Sequence, residues 1–235
     1  MAFLPSDLAA LFELRIPLGA PFWAGEHSLM AQTAGPFSDF ELPRTMTLSA
    51  VLLTGGESRR MGTDKSTLLY QGIPLWRRQF DLLRVLHPET IFISARTRPA
   101  WCPPDAVVVL DEPPSHGPLS GLVAVLNRLR TTHLLALAVD LPHMTAEHLK
   151  SIWRLAGQGR GVIPQPADYF EPLCAIYPAE ACILAGESLA AGRYSLQSLA
   201  HALNEKGLMH PHPLKTDELP LYHNTNRPED LKSAS

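Results

Sequence analysis

From Leu48 onward, short apolar runs alternate with longer stretches whose apolar residues recur every third or fourth position. Runs at 48–53, 90–94, 106–110, 133–139, 161–163 and 173–177 have the length and composition of buried strands. The stretches 73–86, 119–129, 145–156, 179–189 and 196–203 predict helices. In the first of these, Leu75, Trp76, Phe80, Leu82, Leu83 and Leu86 fall at helical intervals, with Pro74 near the start and Pro88 just past the end. Thr145 and His148 have N-cap spacing, without the glutamate of a full capping box. Strand and helix in alternation are the mark of βαβ units, so the pattern predicts an open, mostly parallel, Rossmann-like α/β sheet with helices on both faces. In such a sheet a ligand sits beyond the carboxyl ends of the strands, where the strand order reverses.

Residues 1–46 lack that periodicity. They hold prolines, glycines and scattered aromatics, with one short helical pattern around Leu8 to Leu14. The expectation is a poorly structured extension over 1–46, or a targeting arm, ahead of a single domain at 47–235 that is long enough to bury its own core. Composition narrows the partners. A formal net charge of −3 over 235 residues gives no general attraction to nucleic acid or an anionic membrane surface. No apolar run approaches the ~20 residues of a membrane span. The beginning, Met-Ala-Phe-Leu-Pro-Ser-Asp, lacks the basic region and long apolar core of a secretory signal. Cys102, Cys174 and Cys182 have no metal-ligand spacing and read as buried or incidental thiols, which suits a reducing cytoplasm.

The densest chemistry lies at residues 52–65, Leu-Leu-Thr-Gly-Gly-Glu-Ser-Arg-Arg-Met-Gly-Thr-Asp-Lys. Gly55 and Gly56 remove side chains where the backbone must turn and let its N–H groups approach an anion. Arg59, Arg60 and Lys65 then place three cations in one short loop. Strand, glycine turn and clustered cations make a phosphate cradle. The spacing excludes a P-loop, because no lysine follows Gly62 directly, and it excludes the G-x-G-x-x-G of dinucleotide-binding oxidoreductases.

The segment resembles the signature loop of the MobA-like nucleotidyltransferases, L-x-G-G-x-S-x-R-M-G-x-(x)-K. The likeness continues in order along the chain. Gly117-Pro118-Leu119-Ser120-Gly121-Leu122 is similar to that family's G-P-L-x-G turn, Asp140-Leu141-Pro142 to its D-x-P, and residues 171–177 to its E-P-L-x-A-x-Y. Residues 224–231 resemble its closing N-x-N-T-P-E-[DE]-L. Five ordered motifs over residues 47–232 imply a nucleotidyltransferase-type sheet. The combination of glycine loop, G-P-L-x-G and N-x-N points within the family toward molybdenum cofactor guanylyltransferases.

The resemblance and the residue types together name a site. A nucleoside triphosphate carries about four negative charges and needs both donors and a divalent cation. Leu53, Thr54, Gly55, Gly56 and Ser58 would line the nucleotide, the backbone N–H groups from Gly55 to Ser58 donating to the phosphates, with Arg60 as a fork and Lys65 as a mobile point charge. Asp140 closes an apolar strand and is the expected ligand for Mg²⁺; the alternative is a turn cap before Pro142. Arg60, Lys65 and Asp140 are the expected catalytic residues. Asp111 would contact the nucleotide, or else belong to a plain turn with Glu112 and the prolines after it. Gly117, Pro118 and Leu119 would lie against the base. Ser94 stands where the family often carries a base-facing asparagine and offers a hydroxyl of shorter reach. Glu171, Asn224 and Asn226 are candidates for the second substrate, the asparagines having a turn at the last helix as their other reading. His116 and His143 receive no role.

The implied reaction is transfer of GMP from GTP to molybdopterin, with release of pyrophosphate. GTP and molybdopterin are then the small-molecule substrates, and other molybdenum cofactor proteins are candidate partners. CMP transfer to molybdopterin or an alcohol phosphate, and a non-catalytic nucleotide-binding regulator, stay open as alternatives.

Overall fold

Every residue of strand β1, Leu48–Leu53, is buried, because the strand is covered on both faces. The computed structural model describes residues 45–54, 64–111 and 115–225, and these lie within a unit spanning Pro43–Ser235. After β1 come a short hairpin, β2 (Leu69–Tyr70) and β3 (Ile73–Pro74), and helix α1 (Leu75–Arg84). Strands β4 (Ile91–Ala95) and β5 (Ala106–Leu110), helix α2 (Pro118–Leu126) and strand β6 (His133–Ala138) follow. The second half holds α3 (Ala146–Leu155), β7 (Gly161–Gln165), β8 (Cys174–Pro178), α4 (Ala181–Ala190), α5 (Leu196–Glu205) and β9 (Met209–Pro213).

Seven strands form one sheet in the order β5-β4-β1-β6-β8-β7-β9. Neighbours from β5 to β6 pair in parallel, and β8 runs antiparallel to both β6 and β7. Alternate residues of the central strands feed opposite cores. Val51, Leu53, Leu134 and Ala136 pack with Leu119, Leu122, Ala185 and Leu199 from α2, α4 and α5. Ala50, Leu52, Leu135 and Leu137 pack with Leu75, Phe80, Leu83, Leu149 and Ile152 from α1 and α3. The predicted three-layer α/β sheet, mostly parallel with helices on both faces, is therefore the observed one.

Three elements differ from expectation. The helix predicted over 73–86 begins only at Leu75, because Ile73 and Pro74 pair with Leu69 and Tyr70. Gln71 and Gly72 both have positive φ, 51 and 78, which is the two-residue turn that matches the twist of a hairpin. Strand β9 had no counterpart in the sequence reading. Its prolines, Pro211 and Pro213, hide the strand pattern and are tolerated because β9 lies at a sheet edge. The reversed direction of β8 was not expected either. Thr145 does cap α3, accepting a hydrogen bond from the His148 N–H at 3.2 Å.

The connections fix where a ligand can sit. From β1 the chain moves outward to β4 and β5, then crosses back over the sheet to β6 on the other side of β1. The carboxyl ends of β1 and β6 therefore flank the switch in strand order, the place where open α/β sheets leave a crevice.

Candidate active site

Lys65 and Asp140 meet at that switch. Asp64 caps a 3-10 turn at Lys65–Thr67 by accepting from the N–H of Ser66 at 3.0 Å and its hydroxyl at 2.7 Å. The turn directs the Lys65 side chain across the crevice, where its Nζ lies 2.9 Å from Asp140 Oδ2. Lys65 is 18% exposed and Asp140 25%, so the pair is shielded yet still reachable from the crevice. Seventy-five residues separate them in sequence.

Asp140 is held by the helix on the far side of its loop. Gln79 Nε2 donates to the Leu141 carbonyl and Arg78 Nε donates to the Pro142 carbonyl at 2.6 Å, so α1 fixes the Asp-Leu-Pro exit from β6. The Thr225 N–H donates to the Asp140 carbonyl at 3.0 Å and brings the end of the described chain beside the site. Asn224, next to it, is exposed. Because β8 is antiparallel to β6, Glu171 comes to the same end of the sheet as Asp140. Burial, and then the Asp140 charge, pushes its carboxyl up to about 7.

A second group of side chains surrounds Asp111 at the end of β5. Ser94 Oγ donates to Asp111 Oδ1 at 3.2 Å, and Ser115 Oγ donates to Oδ2 at 2.9 Å. The Ser94 carbonyl accepts from Thr54 twice, from Oγ1 at 2.8 Å and from the N–H at 3.1 Å. Gly117 has φ +82 and precedes Pro118 in the first turn of α2, while Leu119 is fully buried. The Ser120 hydroxyl accepts from the His116 N–H at 2.9 Å and braces this turn. Leu53 is buried and Thr54 half-buried at the end of β1.

The ends of β1, β4, β5 and β6 thus gather Thr54, Lys65, Ser94, Asp111, Gly117 and Asp140, with Glu171 and Asn224 on the β8 side. Gly55, Gly56, Ser58, Arg60 and Asn226 lie outside the described residues. Sequence reasoning missed three residues that shape the site: Arg78, Gln79 and Ser115. Gln79 was the most detectable, being a polar residue on the apolar face of α1 with Leu75 and Leu83. A cavity of about 580 Å³ lined by Thr45, Arg130, Thr132 and Glu180 lies at the opposite ends of the strands, away from all of these groups.

Residues 50–208 match the model of the MobA-like NTP transferase domain. The chain belongs to this family. A probable molybdenum cofactor guanylyltransferase from Opitutus terrae is 36% identical over 186 residues, covering 78% of this chain and 92% of the relative. The molybdenum cofactor guanylyltransferase of Pseudomonas fluorescens strain Pf0-1 is 31% identical, over 79% of this chain and 92% of its own. The fold is also that of the molybdopterin-guanine dinucleotide biosynthesis protein A of Archaeoglobus fulgidus, with a TM-score of 0.61 at 23% identity, over 79% of this chain and 96% of the other. As a member of the MobA-like family the protein is a nucleotidyltransferase. Among the described residues no three His, Cys, Asp or Glu side chains cluster as a metal cage. A single carboxylate such as Asp140 suits a hard cation whose remaining ligands are phosphate oxygens and water.

Proposed function

We propose that this protein transfers GMP from GTP to molybdopterin and releases pyrophosphate. The observation that carries the reading is the contact of Lys65 with Asp140 across the switch in strand order, which sets a cation and a carboxylate on opposite sides of one crevice. The curated relatives named as molybdenum cofactor guanylyltransferases supply the nucleotide and the acceptor.

In the reaction an oxygen of the molybdopterin phosphate forms a bond to the α-phosphorus of GTP. The bond from that phosphorus to the oxygen bridging to the β-phosphate breaks, and pyrophosphate leaves with the electron pair. The nucleophile is already an anion, so no side chain needs to take a proton. The protein's work is alignment and charge neutralisation. Lys65 holds phosphate oxygens, joined by Arg60 and by the backbone N–H groups of residues 55–58, as the loop sequence directs. Asp140 would hold Mg²⁺, which when bound neutralises the triphosphate and the departing pyrophosphate. Asp111 and the Gly117-Pro118-Leu119 turn would contact the guanosine, while Glu171 and Asn224 would contact the acceptor, joined by Asn226 on the strength of the sequence motif. A cytoplasmic location and other molybdenum cofactor proteins as partners go with this reading. No helix among the described residues is long and apolar enough to cross a membrane.

One departure from the family pattern keeps a second reading open, transfer of CMP. Ser94 stands where the family often carries an asparagine, and competition between GTP and CTP separates the two. Substituting the paired residues tests the site itself. Lys65→Ala and Asp140→Ala should each lower kcat by about 10²–10³, the scale of losing one group that stabilises developing charge, without change in fold. Full activity in both folded variants contradicts the assignment.

A further inference from the structure

Ser94 occupies a base-reading position by resemblance, yet its hydroxyl is committed elsewhere. The residue is only 3% exposed, and Oγ donates to Asp111 Oδ1 at 3.2 Å. Ser115 takes the other carboxylate oxygen at 2.9 Å. The Asp111 N–H donates to the Ala95 carbonyl at 3.1 Å, so the backbone is pinned as well. Gly121, in the first turns of α2, completes the arrangement. A Cβ at that position would overlap the Ser94 hydroxyl and come within 3.2 Å of Asp111 Oδ1. The hydroxyl therefore fills the hollow that the missing side chain leaves.

An ionised carboxylate offers about four lone-pair sites, two on each oxygen. The serines use one on each. Held at both oxygens, the carboxylate can no longer rotate, and each oxygen keeps a lone pair for one further donor. We propose that Ser94, Ser115 and Gly121 are positioning residues that lock Asp111 to receive two neighbouring N–H donors, the N1–H and 2-amino edge of guanine. Cytosine presents a single amino donor beside acceptors, which a fixed carboxylate repels. The shorter serine thus substitutes for a direct reader by orienting one. The vicinal hydroxyls of ribose are another source of two adjacent donors, and they are common to all nucleotides.

The inference rests on the guanine reading above, and binding measured with GTP, ITP and CTP in the presence of Mg²⁺ separates the two. ITP lacks the 2-amino group. Ser94→Ala should weaken GTP about tenfold, ITP by a smaller factor and CTP not at all, the loss expected when one hydrogen bond to an ionised reader is removed. Gly121→Ala should show the same pattern, because its methyl group expels the Ser94 hydroxyl from the hollow. The double variant Ser94→Ala/Gly121→Ala relieves that overlap and should be no worse than either single change, since both break the same contact. Equal losses for all three nucleotides, or additive losses in the double variant, overturn the inference and leave the guanine reading standing. A wild-type protein that binds CTP as tightly as GTP overturns both.

Discussion

Lys65 and Asp140 show what a residue type can and cannot disclose. A lysine at the end of a glycine loop and an aspartate after a buried strand announce phosphate and cation chemistry separately, and only the crossover from β5 to β6 puts them 2.9 Å apart. Glu171 was legible as a motif residue but not as a perturbed acid, because its environment depends on β8 running antiparallel. Its raised pKa has a consequence for stability. Below about 4.5 the carboxyl is protonated in both folded and unfolded chains. As pH rises toward about 7 the unfolded chain ionises first, so stability falls, and above that the full penalty is present. Replacing Glu171 with glutamine should therefore raise Tm at about pH 8 and leave it nearly unchanged at about pH 4. Thermal unfolding of both proteins at the two pH values decides it; equal shifts at both would contradict the burial argument.

Among the elements, α1 carries more than its apolar face. Gln79 is fully buried and spends Nε2 on the Leu141 carbonyl, while its Oε1 has no partner. Keeping an unsatisfied amide in a core costs free energy, and positioning the Asp140 loop is what it accomplishes. Gln79→Leu removes one hydrogen bond and one desolvated oxygen together, so stability should change by no more than about 1 kcal/mol while kcat falls about tenfold. Calorimetry beside turnover separates the two effects, and a variant that loses stability but keeps kcat would reduce Gln79 to a packing residue. Gly161 at the start of β7 has a different duty. A methyl there would overlap the carbonyl of Ile176 on β8 and crowd Pro178, both of them hard to displace. Gly161→Ala should destabilise by about 3 kcal/mol, read from denaturant unfolding; a change below 1 kcal/mol, roughly the level of a tolerated swap, would show that the strands can separate.

At the scale of the whole molecule, most of the sheet was legible, since Ala106–Leu110 matches its predicted range and the remaining predicted strands fall within about two residues of theirs. Apolar runs report burial, and burial reports strands in a covered sheet. Direction and order are not written in such runs, which is why the antiparallel direction of β8 was unforeseen. Prolines conceal β9, and the Gln71-Gly72 turn was overlooked before α1. The site divides along the same line. Residues within motifs were found, Gly121 among them, whereas Gln79 and Ser115, which act through a neighbour, carry meaning only once the fold has joined distant segments.

The central claim is that this assembly of strand ends uses GTP to modify molybdopterin. Incubating the purified protein with molybdopterin, Mg²⁺ and each of the four α-labelled triphosphates in turn measures it most directly. The account predicts label transfer from GTP alone, one pyrophosphate released for each dinucleotide formed, and a rate about 10²–10³ lower for both with Asp140→Ala. Transfer from CTP in preference to GTP, or GTP-dependent transfer at the full rate in the folded Asp140→Ala protein, would contradict it.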